Sequence, residues 1–131
     1  MTTGNPSSAF LRAGRILTAL VTLVMIADAA VNLFYPSLVQ AEMAATGFPE
    51  GQAHLVGAII LICTALYAIP RTSVFGAILM TGFLGGAICT HFRFGEIATA
   101  PQLVSLFLGA GAWGALYLRD PRLRTLLPFV K

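Results

Sequence analysis

Thirteen residues of this chain carry a formal charge, and where they stand constrains the fold more than any other feature. They fall at 12, 15, 28, 42, 50, 71, 93, 96, 119, 120, 122, 124 and 131, so 51–70, 72–92 and 97–118 are charge-free runs of 20, 21 and 22 residues. A fourth run, 16–41, is interrupted only by Asp28. A helix needs about 20 mostly apolar residues to cross ~30 Å of hydrocarbon. In lipid only helices and closed barrels satisfy their own backbone, and none of these runs alternates as a strand would. The expected fold is all-α: a polytopic transmembrane four-helix bundle with spans near 14–35, 53–69, 73–91 and 102–118, in a single domain covering 1–131.

Composition removes the alternatives. The chain is 57% hydrophobic and 10% charged over 131 residues, where a soluble domain is about 25% charged. A soluble body this small could not hide so much apolar surface, and disordered chains are poor in hydrophobics.

An even number of crossings puts both termini and the 70–72 turn on one side. Arg12, Arg15, Arg71, Arg119, Arg122, Arg124 and Lys131 lie there, with Arg93 alone opposite. That bias places both termini in the cytoplasm. The net charge of +3 then faces an anionic lipid leaflet rather than nucleic acid. Arg12, Arg15, the apolar run and Ala27-Asp28-Ala29 share the outline of a cleavable signal, but the run continues through Val31, Leu33, Phe34 and Tyr35, too long for one. Residues 1–9 read as a frayed tail.

Pro70-Arg71-Thr72 reads as a tight turn with Thr72 or Ser73 as the next N-cap. Thr99-Ala-Pro-Gln102 has the spacing of a capping box opening helix four. In the loop 36–52, Pro36 and Ser37 open a short amphipathic helix with Gln40 at N3, and Gly47 and Pro49 close it. Leu38, Val39 and Met43 share its apolar face while Glu42 lies to the side, so it reads as an outer-interface helix or lid.

Glycines give the expected helix contacts. Gly82 and Gly86 form a G-x-x-x-G step with Gly85 beside them, and Gly109, Gly111 and Gly114 follow in helix four. Small residues let helices approach closely in lipid; helices three and four are expected to pack through these glycines, which also offer a homodimer face.

Asp28 is the one charge inside a span, and at mid-membrane it costs at least ~2.5–3.5 kcal/mol. It must face the bundle, be paired, or be neutral. Asn32 stands one turn outward on the same helix face. With His54, Thr90, His91, Arg93, Gln102 and Ser105 it forms the candidate polar or ligand site, an outer vestibule floored by Asp28. A structural hydrogen bond from Asp28 to a neighbouring helix is the plainer alternative. No metal is read here: His54 and His91 sit on different helices, without an H-x-x-x-H or cysteine cluster. Cys63 and Cys89 are offset by ~15 Å along antiparallel helices, too far for a disulfide.

The stretch Ile69-Pro-Arg-Thr-Ser-Val-Phe-Gly-Ala-Ile-Leu-Met-Thr-Gly-Phe-Leu-Gly-Gly-Ala-Ile-Cys-Thr-His-Phe-Arg-Phe-Gly95 resembles the central signature of the DoxX-like family of small bacterial membrane proteins. The tail Tyr117-Leu-Arg-Asp-Pro-Arg-Leu-Arg-Thr-Leu-Leu-Pro128 resembles its usual ending, and Asp28, Gly47-Phe48-Pro49 and Cys63 fall where the pattern has similar residues. The resemblance implies a four-helix protein of the bacterial inner membrane. It also implies a link with quinone-coupled redox systems, the family name deriving from association with a thiosulfate:quinone oxidoreductase; more distant relatives are tied to membrane-protein assembly. Two positions depart from the pattern: Asn32 and Ile60 stand where a basic and an acidic residue are usual, so a buried charged pair is missing.

Two functions follow as expectations. One is an accessory membrane subunit of a redox system, with quinone as cofactor at the outer site and Arg119, Arg122 and Arg124 as docking surface for a soluble redox partner. The other is a non-catalytic assembly or packing protein acting through its glycine faces. A small-solute permease ranks behind both, because the inner halves contain no polar relay.

Overall fold

The computed structural model describes residues 7–127; Lys131, Pro128 and the first six residues of the expected tail lie outside them. Among the described residues the regular structure is helical: α1 Ser8–Phe34, a 3₁₀ turn Pro36–Leu38, α2 Gln40–Ala45, α3 Ala53–Ala68, α4 Ser73–Arg93, α5 Ala100–Arg119 and α6 Pro121–Leu126. The four long helices cover the four apolar stretches. Ser8 and Ala9 are already helical, with the Ser7 hydroxyl accepting the Phe10 N–H. Packing runs as a closed ring, with α1 against α3 and α5, and α4 against α3 and α5.

Three of these helices, α1, α4 and α5, are long and apolar enough to cross a membrane. The fourth, α3, is apolar but has only 16 residues, or ~24 Å at 1.5 Å per residue.

Val21, Met25, Ile60, Tyr67, Met80, Leu84 and Leu116 fill the centre. Outward, Ile16, Leu23, Ile62, Phe75, Phe107 and other large apolar side chains stand exposed along every long helix. An inside-out distribution of that kind is what lipid as solvent permits and water does not.

The glycine expectation needs correcting. A Cβ on Gly82, Gly85 or Gly86 would meet nothing within 4 Å, so this strip of α4 faces away from the rest of the chain. Gly111 and Gly114 look toward Val21 and Leu17 of α1, and only Gly109 looks toward α4, at Leu84. The close approaches are elsewhere. A Cβ at Gly76 would lie 2.2 Å from the Tyr67 nitrogen, one at Gly57 would lie 2.9 Å from the Asn32 Cβ, and one at Gly14 would lie 3.0 Å from the Ala115 carbonyl. For Gly57 the signal was small-x-x-x-small written with another residue, Ala53, both buried.

At the end holding the described termini and the 70–72 turn, polar groups close the structure. Thr72 and Ser73 do not cap α4 with their hydroxyls; those hydroxyls donate back to the Leu66 and Tyr67 carbonyls, at 2.7 and 2.6 Å. They thereby satisfy acceptors that the end of α3 would leave orphaned. Arg119 donates to the Ser73 hydroxyl at 2.6 Å and lies over the Tyr67 ring, whose own hydroxyl donates to the Ala112 carbonyl. Arg124 donates to the Tyr117 and Leu118 carbonyls and sits over Phe10. Two of the three arginines expected to dock a partner are therefore turned inward as structural ties.

Candidate functional site

At the opposite end, α1 and α4 finish and two loops pass over them. Here the 3₁₀ turn and α2 supply the short helix expected in the 36–52 loop, with differences. Gln40 is the first residue of α2 rather than N3, and Leu38 is 72% exposed instead of turned inward. Gly47 ends α2 at φ 80°, with Gly47 N–H on the Ala44 carbonyl and Phe48 N–H on the Met43 carbonyl, a Schellman closure. The Phe94 ring rests against Gly47, only 2.9 Å from where a Cβ would be. The side chain that the sequence set aside, Glu42, then reaches toward α4.

His91 is where these elements meet. It is buried near the end of α4, and its Nδ1 bonds the Glu96 carboxylate five residues on. Its Nε2 faces Glu42 Oε1 at 3.8 Å. Both carboxylates are open to the outside, at 39% and 55%. A doubly protonated imidazole bonds Glu96 through Nδ1 and faces Glu42 as a longer-range ion pair through Nε2, whereas the neutral ring has one N–H to give. Since the acids sit on opposite ring nitrogens, the arrangement suits holding and passing a proton rather than converging on one ion.

Gln102 supports this group from α5. Its carbonyl accepts the Thr99 N–H at 3.0 Å, as the capping-box spacing predicts. Its amide donates to the Glu96 backbone carbonyl at 3.2 Å, fixing the loop that carries Glu96. Ala98, just before the cap, is held at φ 57°, left-handed backbone that alanine rarely adopts. Ser105 is buried one turn inward of Gln102.

On α1, Asn32 donates to the Asp28 carboxylate at 3.1 Å and to its backbone carbonyl at 2.9 Å. Asp28 itself is exposed rather than buried as a floor, while Asn32 is buried. The Asp28 carboxylate lies within electrostatic reach of Glu42. The structure thus brings Asp28, Asn32, Glu42, His91, Glu96 and Gln102 to one end. Three candidates do not join them. His54 is exposed and faces a separate cavity of about 200 Å³ shared with Gln40, Phe48 and Glu50. Thr90 donates to the Gly86 carbonyl of its own helix. Arg93 is exposed over the Phe94 ring.

Sequence reasoning missed Glu42 and Glu96 as site residues because Glu96 lies in a loop and Glu42 on the short helix α2, a separate element from α4, so the helix spacings that located Asn32 do not relate either to His91. Glu96 follows Gly95, whose φ of 77° turns the chain back; a Gly-Glu step just past a helix-terminal histidine was the available signal.

A model of the DoxX-like family matches residues 16–115. No curated protein and no solved structure matches the chain.

Proposed function

The chain belongs to the DoxX-like family, and from that premise we propose that it is a bacterial inner-membrane protein serving a redox system as an accessory subunit. Four crossings make up one membrane domain; α3 takes part because it packs between α1 and α4. The termini are cytoplasmic, since Arg12, Arg15, Arg71, Arg119, Arg122 and Arg124 gather at their end against Arg93 at the other.

The observation that carries the redox reading is His91 between Glu42 and Glu96, with Asp28 nearby. Reduction of a quinone takes up protons with electrons. A quinone bound there would take two electrons from the partner enzyme and two protons, which His91 would pass on in turn while Glu42 and Glu96 return them to it from the aqueous side. The test is quinone-linked turnover in native membranes carrying wild type, His91→Leu or Asp28→Leu. The reading expects loss of at least tenfold in the His91 variant; unchanged turnover in both variants rejects the site.

The glycine strip favours a second reading, assembly through helix packing. Among the described residues a Cβ at Gly82, Gly85 or Gly86 would meet nothing within 4 Å, which leaves this strip open to a partner helix or a second copy. Co-purification with Gly82→Leu and Gly86→Leu should then lose a specific partner, and retention counts against it.

A further inference from the structure

At the termini end a groove of about 470 Å³ runs between the 70–72 turn with the start of α4 and the short helix α6. Its walls repeat one pattern. The 70–72 turn and the start of α4 contribute Arg71 and Val74, three residues apart; α6 contributes Arg122 and Leu126, one helical turn apart, and Leu123 also lines the groove. Both guanidiniums are exposed, and among the described residues neither has a hydrogen-bond or carboxylate partner. They contrast with Arg119 and Arg124 at the same end, which are tied to Ser73 and to backbone carbonyls. Asp120 also lines the groove, but its carboxylate accepts the Arg122 backbone N–H and caps α6. Leu126 is 73% exposed, an apolar group lining the same groove as the two exposed arginines.

An exposed cation and an apolar side chain from each of the two elements match a molecule with an anionic head and a hydrocarbon tail. We infer that this groove is a binding site for an anionic phospholipid, its phosphate held between Arg71 and Arg122 and the first methylenes of an acyl chain lying on Val74 and Leu126. Guanidinium suits the phosphate because its planar fork gives paired N–H donors. The inference rests on the reading that this end lies at a membrane surface. It does not depend on the redox role, nor on which leaflet the end faces.

The test uses the full chain in nanodiscs of phosphatidylcholine with a tenth of phosphatidic acid, which presents the anionic lipid on both faces. Native mass spectrometry then reads the lipid retained. Wild type should hold one phosphatidic acid, and removal of each guanidinium should weaken retention about fivefold, from ~1 kcal/mol per basic residue at an anionic surface. Arg71→Gln with Arg122→Gln therefore loses most of it. Arg12→Gln with Arg15→Gln removes the same charge from exposed positions at the same end and should retain it; equal loss in both pairs means diffuse attraction and overturns the site. Displacement of the lipid by inorganic phosphate at equal concentration would identify a soluble anion as the occupant and also overturn it. Circular dichroism on both pairs separates lost binding from lost folding.

Discussion

The two ends of this molecule draw on the same kinds of polar residue and spend them differently. At the turn end, Arg119, Ser73, Tyr67 and the Ala112 carbonyl form a chain of contacts that is mostly buried and joins α3, α4 and α5. At the loop end, His91 is equally buried, but the carboxylates on either side of it are open to the outside. The first arrangement has spent its hydrogen-bonding capacity on helix ends. The second keeps charge at the surface and hangs a lid on it. A polar network stabilises by satisfying its buried atoms, and the turn end does so at every hydroxyl while leaving the buried Arg119 Nε without a partner among the described residues, whereas an open network retains groups that a substrate or proton can still reach.

The largest effect expected from this contrast is at Gly76. A Cβ there would sit 2.2 Å from the Tyr67 nitrogen, inside backbone that has no room to move. Gly76→Ala should cost ~3 kcal/mol, at the upper end for overpacking, while Gly82→Ala should stay within about 0.5 kcal/mol, the range of open surface sites. Unfolding in mixed micelles measures both, and similar losses would erase the distinction between packed and open glycines. Next comes Arg119→Met, which removes a charged hydrogen bond and should destabilise by ~1.5–3 kcal/mol. If it costs no more than Arg122→Met, the turn end is not the closed network described.

His91→Gln sharpens the comparison from the other side. It should leave global stability nearly unchanged and raise amide exchange across 40–46 about tenfold, with no change across 66–76. Uniform exchange at both ends would show that Glu42 does not hold the lid. Trp113→Phe breaks the 2.8 Å bond from the indole to the Thr81 hydroxyl that joins α5 to α4, a loss of ~0.6 kcal/mol by the average for such bonds in membranes. Of similar size and opposite sign is Ala98→Gly, which relieves the left-handed backbone at φ 57° at glycine's entropic cost and should stabilise by ~0.5–1 kcal/mol, read as a shift in thermal midpoint.

The helices were legible because charge-free length and hydropathy report directly on a lipid solvent, and Thr99 with Gln102 fixed the start of α5 through a local hydrogen bond. Asn32 was legible as the partner of Asp28 because one helical turn relates them. The helix-contact glycines were not, since a G-x-x-x-G step records only that a backbone is approachable, not which way it faces. Gly82 and Gly86 look outward while Gly57 and Gly76, each without a glycine partner, carry the tight crossings. Glu42 and Glu96 meet His91 only after two loops fold back, and no periodicity encodes that return. His54 was grouped with His91 by depth alone; depth along a bundle does not give the angle around it.

The sixteen residues of α3 have a consequence for the surrounding bilayer. Its neighbours α1 and α4 continue for 27 and 21 residues, so one flank of the protein is shorter than the rest by a turn or more. With α3 as the fourth crossing proposed above, lipid against that flank would compress by roughly 6 Å to meet it, at a fraction of a kcal/mol per ångström. The membrane would then carry a standing dimple on one side of the protein. Two copies meeting along their shallow flanks would share that deformation, a lipid-borne attraction that needs no contact between side chains.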